Sequence, residues 1–325
     1  MPHVKSSVAA VVLALGCVAA APAVAEEKFP RKTIRLLVPL SAGSAIDVLA
    51  RWVGEKMTDS WGQQVLIDNR PSAGGTIASE YVLASNADGH TMMMVSTGHA
   101  GNATLYSKLS YNVIKDFAGV SQVASSPNVL VVTPTLGVKS VKDLITLAKQ
   151  KPGQLNFSSA GLGSGSLING EMFKLAAGIN VVMVPYKGAP EALNNVIAGN
   201  VQYFFSPVMV ANPHIKSGRV TPLAVSTAVR CPLFPEVPTV AEAGVSGFDY
   251  DQWYGLVVSA KTPRSLVTTL NKEVSRVLAL PDIRERMLGQ GAIPKPTSPE
   301  EFDTFIRAEV NKLRAVILAS NQRVN

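Results

Sequence analysis

The chain has 325 residues, 47% hydrophobic and 16% charged, a balance that builds a sizeable core and excludes disorder or a fibre as its general state. Thirty Lys and Arg stand against 23 Asp and Glu, a net +7, with no basic run interleaved with aromatics, so nucleic acid is excluded as a partner. Two Cys and four His, scattered singly, exclude a disulfide scaffold and a Cys/His metal cluster, and no cofactor is expected.

Residues 1–25 read as a secretory signal: His3 and Lys5 precede the apolar run VAAVVLALGCVAAA, and the small residues Ala23, Val24 and Ala25 precede Glu26. Cys17 offers a lipid-attachment site, but the better cleavage site lies eight residues on. Cleavage removes Lys5 and no acid, leaving 29 minus 23, or +6, and makes Cys231 the sole Cys, so no internal disulfide forms. No later stretch approaches the roughly 20 apolar residues of a membrane span, so the mature protein is expected to be soluble and periplasmic.

Next come a strand at 33–39, a helix at 47–57 with Val48, Leu49, Trp52 and Val53 on one face, a strand at 64–67, a helix at 76–84 and a strand at 91–95. A second unit opens with a strand at 129–132. It continues with a helix at 140–149 capped by Ser140, a strand at 156–158, a helix at 166–177, a strand at 181–184, a helix at 190–198 and strands at 201–205 and 223–226. The Pro-rich stretch 231–240 reads as a surface connector. A strand at 253–258 and helices at 264–278, 281–288 and 299–320 complete the chain. This alternation predicts an α/β fold with largely parallel sheets.

Too few apolar residues remain at the C-terminus for a separate lobe, so those helices are expected to pack on the first one. The chain then crosses between lobes twice, near 121–127 and 249–253. Lobe 1 is expected to hold 26–124 plus 252–325 and lobe 2 to hold 125–251, around a hinged cleft suited to a small ligand.

Two turns carry the functional signal. In PLSAGSAID, residues 39–47, Ser41, Gly43 and Ser44 place small side chains and backbone N–H groups at a helix N-terminus, where unpaired donors and the dipole attract an anion such as a carboxylate. An ordinary strand-to-helix turn capped by Ser44 is the alternative. In SSAGLGSGSLINGE, residues 158–171, Gly161, Gly163 and Gly165 with Ser158, Ser159, Ser164 and Ser166 let the backbone wrap an oxygen-rich group. A dinucleotide fingerprint fails because its third glycine position is Ser166.

A nucleophile elbow fails as well, since Phe157 and Leu162 stand two residues before Ser159 and Ser164. His90, His99 and His214 follow Gly89, Gly98 and Pro213 and read as polar loop residues, so no enzyme is expected. Ser96 and Thr97, after the third strand, and Ser206, after 201–205, lie where open α/β sheets bind ligands, outside the carboxyl ends of strands.

From Phe29 to about Ile317 the segments PLSAGSAIDVLAR, DNRPSAGG, ADGHT, KDFAGV, SSAGLGSGS, VPYKG, VPTVAEAG and PEEF follow one another in order. This ordered set resembles the substrate-binding proteins of tripartite tricarboxylate transporters, the Bug or TctC family of periplasmic receptors. The resemblance implies a type II periplasmic-binding fold and delivery of a carboxylated small molecule to integral-membrane permease subunits. Ser41, Gly43, Ser44 and Asp47 would form a first loop and Ser159, Gly161, Gly163 and Ser164 a second, together holding one carboxylate, partly through ordered water. Asp47 serves as a cap, as a partner of ordered water or as a plain helix-start acid. Tyr186 and Lys187 sit at a strand end facing the cleft, where Lys187 either pairs with a second carboxylate or faces solvent. Trp253 is either hinge core or cleft wall.

The sequence departs from the family pattern at Ser44, where a second Gly is usual, at Leu167, which replaces a His, and at Asn195 and Gln202, which replace Asp. Leu167 hints at a ligand with an apolar body. The expectation is a monomeric receptor that closes on an organic acid, with a two-component ligand sensor and a secreted Ser-dependent hydrolase as alternatives.

Overall fold

The computed structural model describes residues 29–320; the expected signal segment, Cys17 included, lies outside them. The first half of the molecule is built from β1 (Ile34–Val38), α1 (Ala45–Trp61), β2 (Val65–Asn69), α2 (Thr76–Ala84), β3 (Thr91–Ser96) and α3 (Thr97–Leu105). A long strand, β4 (Phe117–Val132), leads into α4 (Val141–Gln150), β5 (Asn156–Ser159), α5 (Gly165–Ala177), β6 (Val182–Pro185), α6 (Ala189–Ile197), β7 (Tyr203–Pro207), α7 (Val208–Lys216) and β8 (Thr221–Val225). The chain returns through β9 (Asp251–Ser259) and finishes with α8 (Arg264–Ala279), α9 (Pro281–Leu288), β10 (Ile293–Pro294) and α10 (Pro299–Ala319).

Hydrogen-bonded strands run in the order β2-β1-β3-β9-β4-β7-β5-β6, with β8 and β10 also on β4. β4 belongs to both halves: Phe117 to Pro127 pair with β9, and Asn128 to Val132 pair with β7. Within each half the outer strands are parallel, β1 with β2 and β3, and β5 with β6 and β7. Every pairing of β4 and β9 is antiparallel. The sheets are therefore mixed rather than largely parallel, because the two strands that carry the chain across run opposite to their neighbours.

Packing explains why these segments form. The apolar stripe of α1, Ile46, Leu49, Ala50 and Val53, shares one core with Leu36, Met92 and Met94 of the sheet and with Val267, Leu270 and Val274 of α8. Phe302 and Leu313 of α10 join Trp253 of β9 in a second core, which continues into Phe157, Phe173 and Phe205 of the other half. Ser298 caps α10 through a reciprocal pair with Glu301, and the positive-φ Gly62 ends α1.

Three elements were not foreseen, namely α3, α7 and β10. The segment α3 is Gly- and Thr-rich and buried on nearly every face, so no amphipathic stripe marks it. In α7 Pro213 lies inside the helix and masks its pattern. The supposed crossing at 121–127 lies within β4, whose Ser121, Gln122, Ser125 and Ser126 are buried in the sheet.

Candidate ligand cleft

The first turn leaves β1 through Pro39 and Leu40 and enters α1 behind Ser44. Gly43 takes φ 77°, which aims its N–H back at the helix, where it donates to Asp47 Oδ2 at 2.9 Å. Arg51 Nε donates to the same oxygen at 3.0 Å, and Asn69 Nδ2 donates to Asp47 Oδ1 at 2.9 Å and to the Leu40 carbonyl at 3.0 Å. Burial pushes the Asp47 carboxyl up, but the hydrogen bonds from Arg51, Gly43 and Asn69 outweigh it and hold the group below the usual carboxylate range. Asp47 is thus the brace of the first loop. Ser44 occupies the N-cap with its hydroxyl donating back to the Ser41 carbonyl at 2.7 Å, so no side chain of its own caps the first-turn N–H groups of α1.

The second turn runs from the end of β5 into α5. Gly161 and Gly163 hold φ of 109° and 73°. Ser166 Oγ accepts the Ala160 N–H at 2.9 Å, and Ser164 Oγ accepts the Leu167 N–H at 3.2 Å. The loop is clamped from the first half: the Gly74 N–H donates to the Leu162 carbonyl at 2.8 Å, and Asn102 Nδ2 donates to the Gly74 carbonyl. A Cβ at Gly98 would overlap the Gly163 carbonyl oxygen, and one at Gly188 would overlap the Ser41 hydroxyl. Glycine backbone is approached closely across the cleft on both sides, by the Gly163 backbone on one and by the Ser41 side chain on the other.

Between the two turns lies a hollow of about 340 Å³. It is bordered by Ser44, Ala45 and Ile46 at the start of α1, by Ser96, the N-cap of α3, and by Ser164, Gly165 and Ser166 at the start of α5. Ala189, the first residue of α6, and Pro207, the N-cap of α7, close it. Five helix N-termini converge, each carrying roughly half a positive charge, while the lining holds no Lys, Arg, His, Asp or Glu. A side hollow of about 380 Å³ shares Leu40, Ser96 and Ser164 with it, and a mouth of about 1060 Å³ shares Leu40 and Ala160.

Ser44, Ser96 and Ser164 line the central hollow, Gly163 lines the side hollow, and Gly161, Tyr186 and Lys187 line the mouth. Ser41 and Gly43 sit at the rim against Gly188 and Pro190. The Gly43 N–H, expected as a ligand donor, is taken by Asp47. The remaining expected residues line none of these spaces. Thr97 Oγ1 accepts the Trp253 N–H at 3.4 Å, Ser159 Oγ faces Met183 Sδ at 3.4 Å, and Ser206 Oγ donates to the Pro207 carbonyl at 3.2 Å. Trp253 is buried in the core and lines none of the hollows: its indole Nε1 donates to Glu309 Oε2 at 2.9 Å and its ring packs on Phe302 and Phe305.

Lys187 is exposed, and its backbone N–H donates to Glu191 Oε2 at 3.1 Å. Leu167 turns away from the cleft into a separate apolar hollow beside Leu105, Ile168 and Ile317, so it says nothing about the ligand's body. Sequence reasoning missed Ala45 and Ile46, because the helix start was placed two residues late, and it missed Gln252. That residue lies within the expected crossing at 249–253, just before the expected strand, lines the central hollow and accepts the Tyr250 hydroxyl at 3.0 Å through Oε1. No sequence signal marked it, because its place is set by a contact between distant segments: a Cβ at Gly165 would overlap that same oxygen.

Residues 49–322 match the family model described as tripartite tricarboxylate transporter family receptor. The chain belongs to this receptor family. Among solved structures, the receptor is similar to an R. palustris protein with adipate, at 34% identity and a TM-score of 0.88, covering 90% of this chain and 99% of that one. MatC from Rhodopseudomonas palustris, with bound malate, is 30% identical at a TM-score of 0.85, covering 89% and 100%. The periplasmic binding protein BugD is 27% identical at 0.86, covering 91% and 99%. The receptor thus has the two-lobed periplasmic-binding fold, and its family binds solutes for tripartite transporters.

Proposed function

We propose that this receptor captures a small organic acid in the periplasm and presents it to integral-membrane permease subunits, acting as a monomer and without chemical turnover. The observation that carries the reading is the convergence of five helix N-termini on one hollow whose lining has no charged side chain. A buried carboxylate without donors is very costly, and here the N–H groups of Ala45 and Ile46 and of Gly165 and Ser166 would supply them. Similarity to proteins solved with adipate and malate supports a carboxylated ligand. Absence of turnover is supported by the serines of the hollow: Ser164 Oγ lies 3.0 Å from Ser166 Oγ, and among the described residues no His is hydrogen-bonded to either.

Residues 26–124 plus 252–325 and residues 125–251 would be the two bodies that move, with β4 and β9 as hinge strands. Export on a signal at 1–25 would bring the protein to the periplasm. The test is mass spectrometry of small molecules released by denaturing the freshly purified protein, followed by calorimetry with the acid found. An unchanged carboxylic acid that rebinds to the stripped protein is the expected result; release of a hydrolysis product, or no acidic ligand together with no binding, overturns the reading.

A further inference from the structure

The central hollow and the mouth touch at Leu40 and Ala160, and of the two the mouth is the larger, about 1060 Å³ against about 340 Å³. A ligand whose carboxylate lies among the helix ends therefore carries the rest of its body past Leu40 and Ala160 into the mouth. Pro71 and Ala73 line that space from the first half of the molecule, and Leu162, Pro185 and Tyr186 line it from the second. Pro71, Ala73 and Pro185 are exposed, and Leu162 and Tyr186 are half-buried. Apolar surface on both sides thus faces water until a ligand covers it.

Few polar side chains interrupt this surface. Ser72 Oγ already accepts the Ile77 N–H at 3.2 Å. Among the described residues, Lys187 and Glu191 are the only Lys, Arg, Asp or Glu lining the central hollow, the side hollow or the mouth, and both are exposed. They stand four residues apart, with the Glu191 carboxylate accepting the Lys187 N–H at 3.1 Å. Opposite charges this close offset each other, and water screens what remains, so the far end of a ligand meets no net charge. Along the body, a methylene gains by covering apolar surface, whereas a hydroxyl exchanges its water partners for an apolar lining.

We propose that the receptor selects its acid by the body: a carboxylate carried on an unbroken apolar chain long enough to cover the mouth, with the group at the far end of little consequence. This rests on the receptor reading above and names the class of acid it takes. Three observations carry it: the mouth adjoins the central hollow, its accessible lining is apolar on both sides, and its two charges are exposed and opposite in sign.

Calorimetry on the ligand-stripped protein tests it with acids that differ in one respect. From butyrate through hexanoate to octanoate, affinity should rise about fourfold per methylene until the chain clears the mouth. Adipate and galactarate share a length and both carboxylates and differ in the hydroxyls along the chain; adipate should bind at least about tenfold tighter. Hexanoate and adipate, which differ at the far end, should agree within about fivefold. Tyr186→Ser should shrink the gain from butyrate to octanoate by about tenfold, and Tyr186→Phe should keep it; a merely structural role for the ring would move every chain length alike. Thermal melts check that both variants fold; if the Ser variant does not, the wild-type series and the adipate–galactarate pair decide. A flat wild-type series, galactarate binding as tightly as adipate, or a gain untouched by Tyr186→Ser overturns the proposal. If a short or hydroxylated acid co-purifies and none of the apolar acids binds, this selectivity falls while the receptor reading stands; if no acid co-purifies or binds, both fall.

Discussion

Asp47 brings a negative charge to within one turn of the place proposed for the ligand's own charge, and it is 1% exposed. Its oxygens are saturated by Gly43, Arg51 and Asn69, so it acts as a rigid strut that fixes the loop instead of a repulsive neighbour. Asp47→Asn keeps the shape, removes the charge and turns one acceptor into a donor facing Asn69 or Arg51. The expected loss is about 1–3 kcal/mol of stability, read as a lower melting temperature. Because the folded-state pKa is depressed, the carboxylate's contribution is complete above its unfolded value of about 3.9 and is lost as pH falls through the lower folded value. The wild-type advantage over the variant should therefore be flat from pH 7 to pH 5 and shrink below about 4; a gap that narrows already near neutral pH would refute this. A second buried acid gives a companion test. Glu309, 8% exposed, accepts the Trp253 indole N–H, so Trp253→Phe should cost about 2–4 kcal/mol from the lost donor and the reduced packing, while the affinity for ligand stays unchanged because the ring lines no part of the cleft. The sequence marked the strut and the tryptophan but not their direction, since a helix-start Asp and a strand Trp carry no sign of which way they face. Buried His99 was hidden for the same reason: after Gly98 it reads as a loop residue, and only the packing of α3 covers it.

Elements whose burial is one-sided were legible, and those buried all round were not. α1 announces itself through Leu49, Val53 and Met57, whereas α3 offers Gly98, Gly101 and Thr104 at positions where Leu would be expected. The small residues of α3 have a structural purpose, because the helix lies against both the second loop and α10: a Cβ at Gly101 would press on Ile168 and Ile317. The loops were legible as Gly/Ser turns, yet which glycines need to be glycine depends on contacts between elements. Gly163, at φ 73°, would bring a Cβ within 2.8 Å of Asn102 Oδ1 and of the Gly74 Cα, whereas Gly62, at φ 63°, has nothing within 4 Å. Both sites are strained for an L-residue by about 1–2 kcal/mol, and only the first is crowded as well. Gly62→Ala should lower the melting temperature modestly and leave the ligand-induced shift intact. Gly163→Val should abolish that shift by prising the second loop from α3 and the Gly74 turn. A full shift in Gly163→Val, or a lost shift in Gly62→Ala, would show that the loop's position is not set by this contact.

At the scale of the whole molecule, the proposed division at 124 and 252 puts both crossings on the paired antiparallel strands β4 and β9, whose register slips between Gly119 and Ser121 and again between Gln122 and Ala124. Two strands bonded to each other make a bending ribbon and not a pair of free linkers, so the halves have a restricted path toward and away from each other. Beside the shared apolar core, backbone contacts join them across the cleft: the Gly74 N–H on the Leu162 carbonyl, and Gly98 against the Gly163 carbonyl. A ligand that fills the hollow touches α1 on one side and α5 on the other, so it favours the closed arrangement by its differential contacts with it. Gly98→Ala separates closure from folding. Gly98 is within helix α3 with no positive φ, so alanine there is favoured by about 1 kcal/mol of helix propensity, and the ligand-free protein should melt no lower than wild type once its lobes part. Its Cβ, however, cannot share space with the Gly163 carbonyl, so the closed state is penalised. Small-angle scattering should show the radius of gyration falling on ligand addition in the wild type and staying constant in the variant, with affinity down at least about tenfold, equivalent to about 1.4 kcal/mol against closure. Should the variant compact and bind as the wild type does, the Gly98–Gly163 contact is incidental and closure is held elsewhere along the cleft.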